Sequence, residues 1–293
     1  MTPFTLAWGT HRLALGPRTR VMGVVNVTPD SFSDGGRFMK REDAVDQGLR
    51  LLDEGADILD IGGESTRPFS DPVALDEELR RVLPVVEDLA RREGVLISID
   101  TTKAEVARRA LDAGAAIIND ISALRVDSEM GFVAARYGVP VVLMHMLGTP
   151  KTMQVDPHYE DVVAEVGDFL RRAVGRAVAA GIDASLLIID PGFGFGKTFD
   201  HNLQLLGDLQ RLHDLGLPLV VGTSRKAFIR HLLKPSGQAD LPGDLPSVAA
   251  GTQATVAAAA LQGAHIVRVH DVAETRTTLK IIDAIRNAGA ESR

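Results

Sequence analysis

Short runs that are apolar on both faces alternate along the chain with longer stretches in which apolar residues recur every three to four positions. Strand and helix in turn produce that alternation. The short runs are residues 21–26, 58–61, 96–100, 117–120, 139–144, 186–190, 217–222 and 266–269. Eight such strands, rich in β-branched residues and polar on neither face, predict an α/β fold of the (β/α)8 TIM-barrel type. An open, doubly wound sheet shares the same alternation, because periodicity does not reveal whether the ring closes. Gly55, Gly94, Gly114, Gly138, Gly181, Gly216 and Gly263 each stand just before a strand. A left-handed helix terminus is cheapest for glycine there. Residues 5–15 alternate around Gly9, predicting a short β-hairpin across the barrel bottom. Thr101 and Thr102 are expected to cap the helix that follows the third strand.

Composition narrows the classes. At 293 residues and 45% hydrophobic content, one barrel domain spanning the chain is expected. A net charge of -7 gives no overall attraction to nucleic acid or to an anionic membrane, so an anionic substrate needs local cations. With no cysteine, disulfides, thiolate metal sites and a cysteine nucleophile are excluded. The first sixteen residues mix polar groups into every apolar stretch, so no signal peptide and a cytoplasmic location are expected. Residues 249–261 fall short of the roughly 18 needed to span a bilayer and include Gly251, Thr252 and Gln253. They read as a closely packed core helix.

Polar residues gather where the strands end: Asn26, Asp100, Asn119, Asp120, His145, Asp190, the Ser224, Arg225 and Lys226 run, Arg268 and His270. In a TIM barrel that C-terminal rim is where active sites are built. Burying so many charged groups is costly unless they work together, so the ring is read as a site. Two loops add to it. Residues 26–38 form a long, turn-rich connection suited to a lid. In Gly62 to Pro68, paired glycines, Ser65, Thr66 and Arg67 suit a phosphate or diphosphate.

Residues 191–198, PGFGFGKT, lack the first glycine of a P-loop because Pro191 stands there, and Lys197 breaks the dinucleotide fingerprint. Their glycines instead allow backbone to approach a flat ligand, with Phe193 or Phe195 as its wall. The eight histidines show no paired-ligand spacing for zinc. A loosely held Mg²⁺, shared between a diphosphate and one oxygen ligand such as Asn26, is compatible.

The stretches NVTPDSFSDGG, DIGGESTRP, SIDTTKAEVA, GAAIINDISA, LMHMLGTPKTMQ, IDPGFGFGKT, GTSRKAFI and RVHDV resemble the dihydropteroate synthase family of pterin-binding TIM barrels, in order and over residues 21–285. The resemblance implies a transferase of folate biosynthesis that joins a dihydropterin methyl diphosphate to 4-aminobenzoate in an SN1-like reaction. By resemblance, the pterin pocket comprises Asp100, Asn119, Ile121, Met144, Asp190, Phe195, Gly222, Lys226 and Arg268. The diphosphate falls to Asn26, Thr66, Arg67, Arg268 and His270, with Asn26 on Mg²⁺. The aminobenzoate pocket falls to Thr66, Arg67, Pro68, Phe195 and Lys226, and catalysis to Asp100, Lys226, Arg268 and His270. Small-molecule substrates and a homodimer are also implied, and a sulfonamide response.

Two departures from the family pattern stand out: Ala227 where many members carry Ser, and Phe69 where Gly often follows STRP. Competing expectations are a pterin-dependent methyltransferase serving a corrinoid protein and a non-catalytic pterin-binding paralogue. Neither explains why GGESTRP and SRK occur together.

Overall fold

A computed structural model describes residues 1–28, 41–66, 70–235, 237 and 240–290. The hairpin comes first: β1 (Phe4–Trp8) and β2 (His11–Leu15) pair antiparallel, with Trp8 opposite His11. The barrel strands are β3 (Arg20–Asn26), β4 (Ile58–Gly62), β5 (Ile97–Asp100), β6 (Ile117–Asp120), β7 (Val141–Met144), β8 (Leu187–Asp190), β9 (Val220–Val221) and β10 (Ile266–Val269). Eight parallel strands run in the order β8-β7-β6-β5-β4-β3-β10-β9. A bridge between Ile189 and Leu219 joins the two ends, so the ring closes and the open-sheet alternative falls. β9 is shorter than its apolar run of residues 217–222; the segment meets β8 through one bridge, with Ile189 N–H donating to the Pro218 carbonyl at 2.9 Å.

All seven glycines singled out before strands have positive φ, from 60° at Gly138 to 112° at Gly114. The hairpin lies against the N-terminal end of the barrel. His265 Nε2 is 3.0 Å from the Thr2 carbonyl, and Arg20 Nε donates to the Ala14 carbonyl at 3.0 Å. Between the strands and the surrounding helices, Val25, Ile61, Ile99, Ile118, Leu143, Ile189 and Val269 are wholly buried. Each such side chain contributes about 1.5–3 kcal/mol of burial free energy.

Two local expectations are corrected. Neither threonine caps α3 (Ala104–Asp112): its N-cap position is Lys103, and the Ala104 N–H is taken by Asp127 at 2.8 Å. Thr101 instead donates to buried Glu78 at 2.6 Å while accepting from the Lys103 amide. The small-residue helix α8 (Pro246–Leu261) buries one face, through Val248, Thr252, Val256, Ala259 and Ala260, and leaves Leu261 56% exposed on the other. It is a surface helix rather than an enclosed one.

Candidate active site

Strand register sets the frame of the site. Asn26 pairs with Gly62, Gly62 with Asp100, and Asp100 with Asn119, so β3 to β6 present these residues side by side at the C-terminal rim. Arg268 reaches across from β10. Its Nε donates to Asp60 Oδ2 at 2.6 Å and its Nη2 to Asp100 Oδ2 at 2.7 Å. Asn119 Nδ2 donates to the same Asp60 oxygen at 3.0 Å.

Asp60 was not among the residues expected here, yet it is wholly buried and holds two of them, Arg268 and Asn119. Its sequence signal was a lone carboxylate between Leu59 and Ile61 in an otherwise apolar strand. One cation thus serves two carboxylates. Burial raises the Asp100 pKa, with Asp60, Glu78 and Asp120 adding to the effect and Arg268 opposing it. Burial also works against the Arg268 cation, but Asp60 and Asp100 outweigh it and hold its pKa above the ordinary value.

Asp190, at the tip of β8, accepts from the Gly192 amide at 2.7 Å. Burial pushes its pKa up, while that amide, Lys226 and Arg268 pull the other way. The turn that follows demands glycine. Gly192 has φ +67°, and a Cβ there would lie 1.9 Å from the His145 carbonyl oxygen. Phe195, not Phe193, forms the wall: Phe193 sits in the main core near Phe228, whereas the Phe195 ring lies 4.2 Å from Lys226 Nζ. Burial, then Arg268, lowers the Lys226 pKa to about 8. Ile121, Met144 and Phe195 form an apolar cluster separate from the barrel core, together with Met146 and Met153, two members not foreseen. Gly222 lies against Arg268, where an added Cβ would come within 3.7 Å of the Arg268 Cβ.

His270 Nδ1 is 3.0 Å from Ser224 Oγ, and burial, then Arg225 and Arg268, depresses its pKa to about 3. That shift favours the neutral imidazole. Three other rim residues serve to fasten the site. Asp120 accepts from the Ser122 and Leu124 amides, Arg225 pairs with Asp271, and His145 meets Lys197. Behind the Gly62–Pro68 loop, Lys103 pairs with Glu64 and with Glu78. Thr66 is partly buried, and Asn26 is partly buried at the tip of β3. Arg67, Pro68, Phe69 and most of the 26–38 loop lie outside the described residues. Among the described residues no helix is long and apolar enough to cross a membrane.

The rim therefore presents carboxylates at two depths, a guanidinium between them, a lysine over a phenyl ring and a methionine-rich wall. That set suits a flat, polar heterocycle carrying a negatively charged tail. Residues 22–270 match the profile of the family described as "Pterin binding enzyme". The chain belongs to this pterin-binding enzyme family.

The dihydropteroate synthase of Escherichia coli K12 is 48% identical over 275 residues, 93% of this chain and 94% of that protein. The crystal structure of Yersinia pestis dihydropteroate synthase in a sulfonamide drug complex superposes with a TM-score of 0.89 at 46% identity, covering 97% of this chain and all of that one. A Xanthomonas albilineans dihydropteroate synthase with 4-aminobenzoic acid gives 0.87 at 50% identity, covering 97% of this chain and 99% of that one. Within the pterin-binding family, each of these three relatives is a dihydropteroate synthase.

Proposed function

We infer that this chain is a dihydropteroate synthase, a transferase that condenses (7,8-dihydropterin-6-yl)methyl diphosphate with 4-aminobenzoate and releases diphosphate. The observation that carries the reading is the convergence of Asp100, Asn119, Asp190, Lys226 and Arg268 on one rim, in a chain whose full-length relatives carry that name. Asp190 takes the paired N–H donors of the pterin's amino-pyrimidine edge, with Asn119 beside it. Lys226 donates to the ring oxygen and nitrogen, and Arg268 lies across the ring face. Ile121, Met144, Phe195 and Gly222 shape the slot.

Bond breaking comes first: the C–O bond of the pterin methylene carbon opens, its electron pair leaves with the diphosphate, and a pterin cation remains. The ionised Asp100 carboxylate favours that positive charge, while Arg268 and His270 bind the departing oxygens. The aminobenzoate nitrogen then attacks the methylene carbon and loses a proton. No enzyme nucleophile is required.

Thr66, Arg67 and Asn26 complete diphosphate binding. Thr66, Arg67, Pro68, Phe195 and Lys226 form the aminobenzoate pocket. Ala227 is exposed at the start of α7 (Ala227–Leu233) and offers no hydroxyl to the aminobenzoate carboxylate. A hard cation fits the rim through the amide oxygen of Asn26 and the substrate's own phosphate oxygens, and Mg²⁺ would there neutralise charge on the leaving group.

We also propose a homodimer. Leu232 and Leu233 are exposed on α7 and Leu261 on α8, where Leu261 also lines a groove with Leu203, Leu206 and Ala258. Sedimentation at micromolar concentration should give twice the chain mass.

Incubating the folded protein with pterin methyl diphosphate, 4-aminobenzoate and Mg²⁺ should yield dihydropteroate and diphosphate in equal amounts. No product from folded protein removes the assignment.

A further inference from the structure

Lys197 is a buried lysine that pairs with no carboxylate among the described residues; burial lowers its pKa to about 7, with the Asp190 charge opposing that shift. It is 3% exposed, and its Nζ lies 2.8 Å from His145 Nδ1, 3.0 Å from the Gly192 carbonyl and 3.3 Å from the Phe195 carbonyl. An ammonium carries three donors and no acceptor, so three neutral acceptors saturate it. Burying an ammonium is costly unless its donors are all taken, which makes this arrangement a built one.

A charged Lys197 requires His145 Nδ1 to accept, which would leave the ring proton on Nε2. Burial, then Lys197 and Arg125, keeps that imidazole neutral, with its pKa pulled down to about 2.

Lys197 grips the corner that sets the pterin carboxylate. The carbonyl of Gly192 takes one lysine donor, and the amide of the same residue donates to Asp190 Oδ1 at 2.7 Å. The second carbonyl belongs to Phe195, whose ring underlies Lys226. The outer part of the turn has fasteners of its own. Gln154 donates to the Gly194 carbonyl at 2.6 Å, Asn202 accepts from the Gly194 amide at 2.7 Å, and Tyr159 donates to the Gly196 carbonyl at 2.7 Å. The Phe195 amide also reaches the Gly192 carbonyl, at 3.1 Å. Removing the ammonium therefore leaves the turn attached but frees its inner corner.

We propose that Lys197 is a positioning residue for pterin recognition, clamping the Gly192–Phe195 turn to His145 at the end of β7 so that the Asp190 carboxylate and the Phe195 ring hold their places. The proposal rests on the reading of Asp190 as the pterin-binding carboxylate.

Lys197→Met, in the full chain, tests it by calorimetry with a pterin lacking the diphosphate and by steady-state kinetics. The expected result is a rise of about tenfold in the pterin Kd and a comparable rise in the KM for the pterin diphosphate. The kcat should stay within about threefold, since no reacting group is lost. A folded Lys197→Met protein with wild-type Kd and KM overturns the proposal, because a residue serving stability alone would move neither. Asp190→Ala separates the two levels. Unchanged affinity there removes the pterin reading itself, whereas a weakened Asp190→Ala beside an unaffected Lys197→Met removes only the positioning role. If Lys197→Met does not fold, nitrogen NMR of the wild-type His145 ring decides: an Nε2–H tautomer at pH 7 supports the clamp, and an Nδ1–H tautomer overturns it.

Discussion

Arg268 Nε lies 2.6 Å from a carboxylate oxygen of Asp60, a side chain with no solvent exposure, in the wall beneath the pterin site. Asn119 donates to that same oxygen, so Asp60 orients both the cation and the amide that the proposed function assigns to the pterin. Removing one partner of a buried charged set leaves the others uncompensated, at a cost of about 3–5 kcal/mol. Asp60→Ala should therefore lower unfolding stability by that amount in denaturant titration. Asp60→Asn, which keeps an acceptor for Arg268, should lose less. A loss below about 1 kcal/mol for Asp60→Ala would show that Asp60 is not the organising group.

Asp190→Ala should weaken pterin binding by about 1.5–3 kcal/mol, the range for hydrogen bonds to a charged group. Calorimetry with a pterin lacking the diphosphate isolates this contact from the phosphate contacts. An unchanged affinity refutes the assignment.

Gly192 and Gly175 should respond to alanine in opposite directions. At Gly192 a methyl meets the His145 carbonyl oxygen at 1.9 Å, on backbone with φ +67°. Gly175 lies within α5 (Val162–Ala179) and has nothing within 4 Å of the added Cβ. Gly192→Ala should cost more than about 2 kcal/mol, whereas Gly175→Ala should gain about 0.5–1 kcal/mol from helix propensity. Thermal unfolding of the two variants checks the contrast.

The pH profile of kcat/KM should be bell-shaped. Asp100 must be ionised to favour the pterin cation, and its burial-raised pKa brings the acid limb closer to neutrality than an ordinary carboxylate would. Activity therefore falls as pH drops through that raised value. Lys226 must keep its proton to donate, and burial has lowered its pKa to about 8, so activity falls again as pH rises past that point. Lys226→Arg should carry the alkaline limb upward, since a guanidinium stays charged there. An alkaline limb unmoved by that change would detach it from Lys226.

Much of this was legible in the sequence because parallel barrel strands are buried on both faces and write themselves as unbroken apolar runs. The polar tips of those runs, Asn26, Asp100, Asn119 and Asp190, gave the rim directly. Ring closure was not legible, since it depends on a single bridge between Ile189 and Leu219 that no periodicity records. Asp60 was hidden because it sits two positions before the end of its strand, where attention to tips passes it over. In the sequence Lys197 figures only as the residue that breaks a dinucleotide fingerprint, and the backbone path of residues 192–196 shows what it holds. Met146 and Met153 reach the site from a loop, and flexible methionines leave no periodic trace.

The account comes down to whether these side chains hold one pterin ring. A crystal soaked with a pterin should place the ring's amino-pyrimidine edge within hydrogen-bond distance of Asp190, with Lys226 at the ring oxygen and the Arg268 guanidinium over its face. A ring bound elsewhere, or one turned so that Asp190 faces no donor, would contradict it.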